Sequence, residues 1–263
     1  MTQLAASPDR WALFLDDHVP GLTWLAATLR EWGELPPGAR RTWRVTVSAS
    51  RSGDVSAIAA LHEESGLLAV AALPGQPPPF LGSPDDVTRV IGSHETVEAV
   101  FAGQPYFAVR RLPGFQRSVV VFDKDPPPRP QGLRVARDDE WQALERLRLE
   151  SDGLADPKDA VDLAGPCQAG VVWVLTYADD VPKALFRVEG VSSRRIQVTD
   201  ACVHPSVRGR GLGAALLRAA ANVARTEYAR GVVLAVPADE PADRTAKAAG
   251  YERAGLLDDV RLA

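Results

Sequence analysis

One stretch decides the fold of this chain: Asp200-Ala-Cys-Val-His-Pro-Ser-Val-Arg208-Gly-Arg-Gly211-Leu-Gly213-Ala-Ala-Leu-Leu. It starts as the end of a strand, passes through a short loop and a glycine-rich turn, and enters a helix. Gly209, Gly211 and Gly213 remove every second side chain, so successive backbone N–H groups can converge on an anion at the positive end of the helix dipole. The stretch therefore predicts a phosphate-binding turn.

Two other phosphate motifs do not fit this turn. Gly209-x-Gly211-x-x-Ala214 matches a dinucleotide fingerprint in form, but that fingerprint follows its strand directly and lies near the start of its domain. Here His204-Pro-Ser-Val-Arg208 separates the strand from the turn, and the match falls late in its domain. A Walker loop requires Lys-Ser or Lys-Thr after the last glycine, where this chain has two alanines.

The spacing Arg208-x-x-Gly211-x-Gly213 resembles the pyrophosphate loop of the GNAT superfamily of N-acetyltransferases, which bind acetyl-CoA there. The resemblance implies that the pantetheine arm pairs with the strand end and that the pyrophosphate binds along the turn, with Arg208 or Arg210 adding positive charge. The residues that it implies for acetyl-CoA are Ala201, Cys202, Val203, Arg208, Gly209, Arg210, Gly211, Leu212, Gly213, Ala214 and Asp239.

The region from about residue 132 to 255 predicts an α/β domain with mixed strand pairing, in the element order of the GNAT fold. The predicted elements are a strand at 133–136, a helix capped by Asp138 or Asp139, a second helix near 157–163, a hairpin of 171–177 and 183–188, a strand at 196–203, a helix from 212, a strand at 232–236, a helix at 241–249 and a final strand.

The first half predicts a second, related domain. Four prolines among residues 123–130 exclude a helix or an interior strand, so we expect a semi-rigid linker at 124–131 between domains at 1–123 and 132–263. The predicted elements of the first half are helices at 10–18 and 21–32, strands at 43–47, 55–62 and 67–73, helix caps at Ser83 and Ser93, and strands at 107–112 and 118–122.

This order resembles that of the second half, but no Arg-x-x-Gly-x-Gly occurs in it. Our hypothesis is a tandem of GNAT-like domains whose first member is degenerate. Such a tandem also resembles mycothiol synthase and related two-domain actinobacterial acetyltransferases, in which the C-terminal half is active. The chain is therefore expected to be bacterial.

Acyl transfer needs a neutral amine, a polarised thioester carbonyl and a proton for the departing thiolate. The resemblance implies that the Val203 N–H polarises the carbonyl. Asp200 and Glu189 are alternative candidates for the general base, and either one also suits a solvated strand end. The next family motif, counted back from Gly250-Tyr251, places Asp239 at its asparagine and Ala246 at the tyrosine that protonates the thiolate, so the expected acid is missing.

Composition excludes several classes of protein. The segment up to Gln131 contains 12 Lys and Arg residues and 14 Asp and Glu residues, and the rest of the chain contains 18 Lys and Arg and 20 Asp and Glu. Neither half therefore has the basic character of a nucleic-acid-binding domain. His18, His62, His94 and His204 are scattered and Cys167 and Cys202 form no ligand pattern, so no metal site is predicted. The N-terminus lacks a basic leader with an apolar core, and no apolar run could span a bilayer. We expect a cytoplasmic protein.

Two functions remain open at this point. The first is an acetyl-CoA-dependent N-acyltransferase that acts directly, in a ternary complex, on an amine of a small molecule or peptide. The second is a catalytically inactive acyl-CoA sensor or interaction module, which the missing tyrosine favours. A nucleotide-dependent oxidoreductase is a distant third. The sequence specifies neither the acceptor nor the oligomeric state.

Overall fold

The computed structural model of the protein describes residues 7–34, 42–50, 52–79, 84–152, 171–176 and 180–263. The chain divides into two compact units. The first unit comprises Met1–Val119, Ala235–Asp239 and Arg253–Ala263, and the second comprises Val120–Leu234 and Glu240–Glu252. The chain's last strand therefore belongs to the first unit, although the sequence placed it with the second half. The predicted domain limits of 1–123 and 132–263 remain a prediction.

The described part of the first unit contains four α-helices and most of six strands. They are α1 (Pro8–His18), α2 (Thr23–Glu34), β1 (Trp43–Ala49), β2 (Val55–His62), β3 (Leu67–Ala72), β4 (Arg89–Ser93), α3 (His94–Gly103), α4 (Pro105–Arg110), β5 (Phe115–Phe122) and β11 (Glu252–Arg261). Strands β1, β2 and β3 pair antiparallel, β3 pairs parallel with β4, and β11 pairs antiparallel with β4. Buried aliphatic and aromatic side chains of β2, β3, β4, α3, α4 and β11 form a core that includes Phe101 and Phe107.

Three local predictions for this unit have distinct outcomes. Ser93 is the residue before α3, as predicted, but its hydroxyl pairs with the Thr96 hydroxyl at 2.7 Å and does not cap the backbone. The strand predicted at 107–112 is wrong, because Pro105 starts the short helix α4 and Phe107 is buried in the core. Proline fits the first turn of a helix, where its missing N–H costs nothing. The predicted cap at Ser83 lies outside the described residues.

Strand β11 carries two buried carboxylates. Asp259 accepts hydrogen bonds from the Arg89 guanidinium, with Nε to Oδ1 at 2.6 Å, and Asp258 pairs with His94 Nδ1 at 2.7 Å. The Gln116 amide also donates to Asp258 at 3.1 Å. Ligand atoms of His94, Glu98 and Asp258 lie within 4.8 Å of one another, but Glu98 already pairs with Arg111 at 2.7 Å. Each buried charge thus has a partner of opposite charge, as burial requires.

The second unit contains the remaining described elements, except that the last three residues of β10 belong to the first unit. They are β6 (Leu133–Val135), α5 (Trp141–Asp152), β7 (Val171–Thr176), β8 (Pro182–Val191), β9 (Arg195–Val203), α6 (Leu212–Tyr228), β10 (Gly231–Pro237) and α7 (Glu240–Ala248). Strands β6, β7, β8 and β9 pair antiparallel in that order, and β9 pairs parallel with β10. The predicted mixed α/β fold, with helices flanking a mixed sheet, is confirmed. The helix predicted near 157–163 lies outside the described residues.

Helix α5 packs on one face of this sheet because its apolar residues recur at helical spacing. Leu144 and Leu147 join Val172, Val174, Leu185 and Cys202 in one buried cluster. The predicted cap of α5 at Asp138 or Asp139 is wrong. Both residues lie in a 3-10 turn over Asp138–Glu140, and α5 begins after that turn. Glu140 accepts the Arg137 N–H at 2.8 Å and pairs with Arg134 at 2.6 Å. The Arg134 hydrogen bond lowers the pKa of Glu140 to about 2.

The proline-rich segment predicted as a linker forms neither helix nor strand between Asp123 and Pro130. It is attached to α6 within the second unit. The Asn222 amide donates to the Pro127 carbonyl at 2.9 Å, and Arg129 pairs with Glu227 at 3.1 Å. The Arg129 guanidinium also lies 5.5 Å from the centre of the Trp173 ring. These contacts fix the path of the segment over the helix.

The two units repeat a topology. In each, three consecutive strands pair antiparallel, and the third pairs parallel with the next strand along the chain. A parallel pair requires a crossover connection. In the second unit that crossover is helix α6, whereas the described residues between β3 and β4 contain only a 3-10 turn over Pro84–Asp86.

Candidate functional site

The glycine-rich turn lies where the sequence predicts it, between strand β9 and helix α6. A 3-10 turn over Pro205–Val207 follows the strand, and the glycines then lead into the helix. Gly209 has φ of 76° and Gly211 has φ of 79°, a left-handed conformation that L-residues with a Cβ seldom adopt. A Cβ added at either glycine would meet no atom within 4 Å. The space above both residues is therefore open to a ligand.

Gly213 packs closely against α7, and its predicted contact with acetyl-CoA stays a prediction. It lies inside α6, and a Cβ there would approach Thr245 Cγ2 to 3.1 Å. Its missing side chain therefore permits close packing of α6 and α7, in addition to any contact with an anion. The N–H groups of Leu212, Gly213 and Ala214 have no acceptor within the helix, because the first N–H groups of any α-helix precede its first i to i−4 bond. These three groups point out of the positive end of α6.

The two arginines of the turn differ in their surroundings. The Arg208 guanidinium donates to the Ser151 carbonyl at 2.5 Å, to the Ser151 hydroxyl at 3.0 Å and to the Val203 carbonyl at 3.2 Å. Arg210 is exposed and makes no hydrogen bond or ion pair with any residue that the structure describes. Both arginines are exposed, but only the Arg208 guanidinium is held in place by hydrogen bonds to described residues.

Strand β9 provides the backbone edge beside the turn. Its parallel pairing with β10 runs from Gly231 opposite Arg195 to Leu234 opposite Val198, and β9 continues for five more residues. The His204 N–H donates to Lys183 on the β8 side at 2.8 Å. Because successive N–H groups of an extended strand alternate between its two edges, the Val203 N–H faces away from β8. Cys202 is buried in the α5 cluster, and Ala201 is exposed.

A β-bulge interrupts β9 just before this edge. Asp200 and Ala201 together oppose one residue of β8, since the register passes from Leu185 opposite Cys202 to Arg187 opposite Thr199. Asp200 has φ of 51°, which is unusual for a residue other than glycine. Bulges often re-aim a side chain next to a functional site. Here the bulge directs Asp200 towards two arginines.

Asp200 lies in the middle of a series of side chains with alternating charge, which extends from Glu145 through Arg148 and Arg187 to Glu189. Its carboxylate lies 3.0 Å from Arg187 and 3.8 Å from Arg148, whose side chains are 12% and 6% exposed. Arg148 also pairs with Glu145 at 2.9 Å, and Arg187 lies 4.0 Å from Glu189. A pocket is lined by Trp141, Leu144, Glu145, Arg148, Val172, Leu185, Arg187 and Asp200. Glu189 is the bulged residue of β8 and is more exposed than Asp200.

The residues of the last motif are placed as follows. Ala246 is buried in α7. Asp239 is a residue of the first unit and directly precedes α7 along the chain. The Tyr251 hydroxyl donates to the Leu217 carbonyl at 2.8 Å, and its ring lies 5.3 Å from that of Phe122. Burial raises the pKa of Tyr251. Tyr251 is therefore a core residue of the second unit.

Sequence reasoning missed several residues of this site. Arg187 follows Leu185 at the two-residue period of a strand, a signal that places it on the same face as the apolar cluster. Glu150 and Ser151 carried no such signal, because their partners His204 and Arg208 lie more than 50 residues away along the chain. The Pro205–Val207 turn brings these partners to the end of α5.

Residues 141–251 match the model of the acetyltransferase (GNAT) family. The matched segment extends from the start of α5 to the residue Tyr251 and includes the glycine-rich turn. The second half of the chain thus contains a domain of the GNAT family. No curated protein matches this sequence significantly.

Solved structures share the fold over nearly the whole chain. A GNAT-family acetyltransferase from Colwellia psychrerythraea is 11% identical with a TM-score of 0.55, covering 100% of this chain and 98% of its own. A GCN5-related N-acetyltransferase from Sphaerobacter thermophilus is 16% identical with a TM-score of 0.53, covering 98% and 92%. A Drosophila protein reaches a TM-score of 0.61 at 12% identity, covering 99% and 96%. At these identities the likeness extends to the fold alone.

No helix among the described residues is long and apolar enough to cross a membrane.

Proposed function

We propose that the chain is an acetyl-CoA-dependent N-acyltransferase that transfers an acetyl group directly to an amine of a small molecule or peptide. One observation carries the proposal: Gly209 and Gly211 adopt left-handed conformations under open space at the positive end of α6. Such a turn presents backbone N–H groups to a pyrophosphate. Arg210 adds a charge-assisted contact.

The donor's pantetheine arm would lie along the edge of β9 that its pairing with β10 leaves open, at Ala201, Cys202 and Val203. The Val203 N–H faces this edge and is our candidate to polarise the thioester carbonyl. Polarisation by a fixed N–H stabilises the oxyanion that forms when the amine attacks.

For the general base we favour Glu189 over Asp200. The Asp200 carboxylate lies 3.0 Å and 3.8 Å from two nearly buried guanidinium groups, so it already serves as their counter-charge. Glu189 is 38% exposed, and its carboxylate lies 4.0 Å from an Arg187 nitrogen. It can take a proton from the amine through water.

A second candidate is an acyl-CoA-binding protein without catalytic activity. It is favoured by the buried Ala246 at the position of the family tyrosine, since a methyl group cannot protonate a thiolate. In the catalytic proposal, water or direct release of the thiolate takes over that step.

Thermal unfolding with saturating acetyl-CoA, and with NADH as the control, tests the donor site. Ligand at about 100 times its dissociation constant should add about 2.7 kcal/mol to the free energy of unfolding. A shift with acetyl-CoA alone, followed by amine-dependent release of free CoA thiol in a panel of small amines and peptides, supports the acyltransferase. A shift without release across the panel supports the second candidate. No shift with acetyl-CoA refutes both.

A further inference from the structure

Hydrogen bonds and an ion pair join the end of helix α5 to the segment between β9 and the glycine-rich turn. Arg208 makes three hydrogen bonds there, two to Ser151 and one to the Val203 carbonyl. All three acceptors are uncharged. A guanidinium with several bonds to fixed acceptors has a defined orientation, so this side chain joins a helix end to a strand end.

A second contact reinforces the first. His204 Nε2 lies 3.1 Å from a carboxylate oxygen of Glu150, and Nδ1 of the same ring accepts the Ser206 N–H at 3.1 Å. The ring therefore links the last turn of α5 to the 3-10 turn that precedes the glycines. Two side chains of residues 204–208 thus contact two adjacent residues of α5.

Helix α5 also forms one wall of the pocket beside Asp200. Trp141, Leu144, Glu145 and Arg148 of that wall line the pocket, and Arg148 reaches Asp200 itself. A movement of the turn on binding a phosphate would therefore be passed to this wall through Arg208.

We infer that Arg208 is a positioning residue, which couples the glycine-rich turn to α5, and that Arg210 is the cation of the turn that binds the donor phosphates. This inference rests on the proposed function. It separates two arginines that the sequence motif treats as alternatives. Arg210 lies between the two left-handed glycines, has open surroundings and makes no ion pair within the described residues.

The experiment compares Arg210→Ala, Arg210→Lys, Arg208→Ala and Arg208→Lys by acetyl-CoA titration calorimetry at two salt concentrations. Arg210→Ala should weaken binding about tenfold and reduce its salt dependence, because one charge-assisted contact is lost. Arg210→Lys should retain most of the affinity, since lysine serves phosphate as a point charge. Both Arg208 variants should bind acetyl-CoA within about twofold of the unchanged chain, a difference below 1 kcal/mol.

Hydrogen exchange distinguishes a coupling role of Arg208 from a merely structural one, because only coupling makes the exchange rate of α5 depend on acetyl-CoA. Saturating acetyl-CoA should slow amide exchange in the last turn of α5 about fivefold in the unchanged chain and in Arg210→Ala. Neither Arg208→Ala nor Arg208→Lys should show this slowing, because lysine cannot reproduce three bonds from one planar group. Arg225→Ala, an exposed arginine on α6 far along the helix from the turn, is the matched control and should behave as the unchanged chain does.

Ser151→Ala covers the case in which the Arg208 variants fail to fold. It removes the hydroxyl, which accepts from Arg208 at 3.0 Å and donates to the Val203 carbonyl at 3.4 Å, but keeps the bond from Arg208 to the Ser151 carbonyl, so a partial loss of the acetyl-CoA-dependent slowing is expected. Two results would show that the inference is wrong while the proposed function stands. In one, acetyl-CoA binds but Arg208→Ala lowers its affinity as much as Arg210→Ala does. In the other, acetyl-CoA slows amide exchange in α5 equally in every variant. If the unchanged chain does not bind acetyl-CoA, the inference and the proposed function are both wrong.

Discussion

Single residues at the glycine-rich turn carry the clearest chemical information. Gly209 and Gly211 have positive φ and open surroundings, whereas Gly213 owes its small size to packing against Thr245. Three identical residues in one motif therefore have two physical roles. The first pair leaves open space above the turn, and Gly213 contributes one of the N–H groups at the start of α6 that have no acceptor within the helix.

We predict that Gly211→Ala impairs donor binding out of proportion to its effect on stability. A left-handed residue with a Cβ costs about 1–2 kcal/mol, so the free energy of unfolding should fall by roughly that amount. Acetyl-CoA affinity should fall about tenfold or more, because the Cβ enters the space of the anion. Gly75→Ala is the matched control, since Gly75 has φ of 75° and an equally open Cβ position. Equal loss of affinity in both variants would contradict a ligand-binding role for the turn.

At the scale of elements, the bulge in β9 and helix α5 act together. The bulge turns Asp200 towards Arg187 and Arg148, and these arginines join β8 and α5 to the same carboxylate. An arginine this deeply buried needs a compensating charge. Asp200 therefore stabilises the contact between these elements.

We predict that Asp200→Asn destabilises the chain and that Glu189→Gln does not. Loss of one partner of a buried ion pair costs about 3–5 kcal/mol, and the 23% exposure of Asp200 reduces this to about 1–3 kcal/mol. With an amine that supports turnover, Glu189→Gln should lower kcat about 100-fold, whereas folded Asp200→Asn should retain most of it. Denaturant unfolding and steady-state kinetics measure the two effects. The reverse pattern would make Asp200 the base.

At the scale of the whole molecule, the C-terminal strand completes the sheet of the first unit. Strand β11 brings Asp258 and Asp259 to His94 and Arg89, two residues more than 160 positions earlier in the chain. The hydrogen bond that His94 donates to the Asp258 carboxylate raises the pKa of His94. Protonation of His94 thus favours the folded arrangement.

This arrangement predicts a pH optimum of stability. The His94 pair contributes fully below the unfolded pKa of 6.5, and its contribution is lost as pH rises through the raised folded value. The pKa of Glu140 is about 2 in the folded state and 4.5 in the unfolded state. Glu140 therefore stabilises the fold fully above pH 4.5, and this stabilisation is lost as the pH falls towards 2. The two groups therefore favour maximal stability between pH 4.5 and 6.5.

Melting temperatures of the unchanged chain and of His94→Gln, measured across pH 5 to 9, check this prediction. The difference should be largest at low pH and should shrink as pH rises, and it should correspond to less than about 1 kcal/mol of unfolding free energy because His94 is 44% exposed. His18→Gln at the end of α1 is the control, since His18 has no carboxylate partner among the described residues. A difference that grows with pH would contradict the assignment.

The sequence by itself determined the elements of the second unit and the position of its turn. Strand β9, the glycine pattern and the apolar period of α6 are local features, so propensity and spacing specify them. Local reasoning failed at residues 107–112, where burial of Phe107 in a helix overrides a strand-like pattern.

Only the tertiary structure decided which groups meet. The ion pair of Asp200 with Arg148, the hydrogen bonds of Arg208 to Ser151 and the pairing of β11 with β4 all join residues distant in sequence. The sequence motif did not distinguish Arg208 from Arg210, whereas in the folded chain only Arg208 makes hydrogen bonds to Ser151 at the end of α5. Such contacts depend on which surfaces fold against each other, a property that no single segment contains.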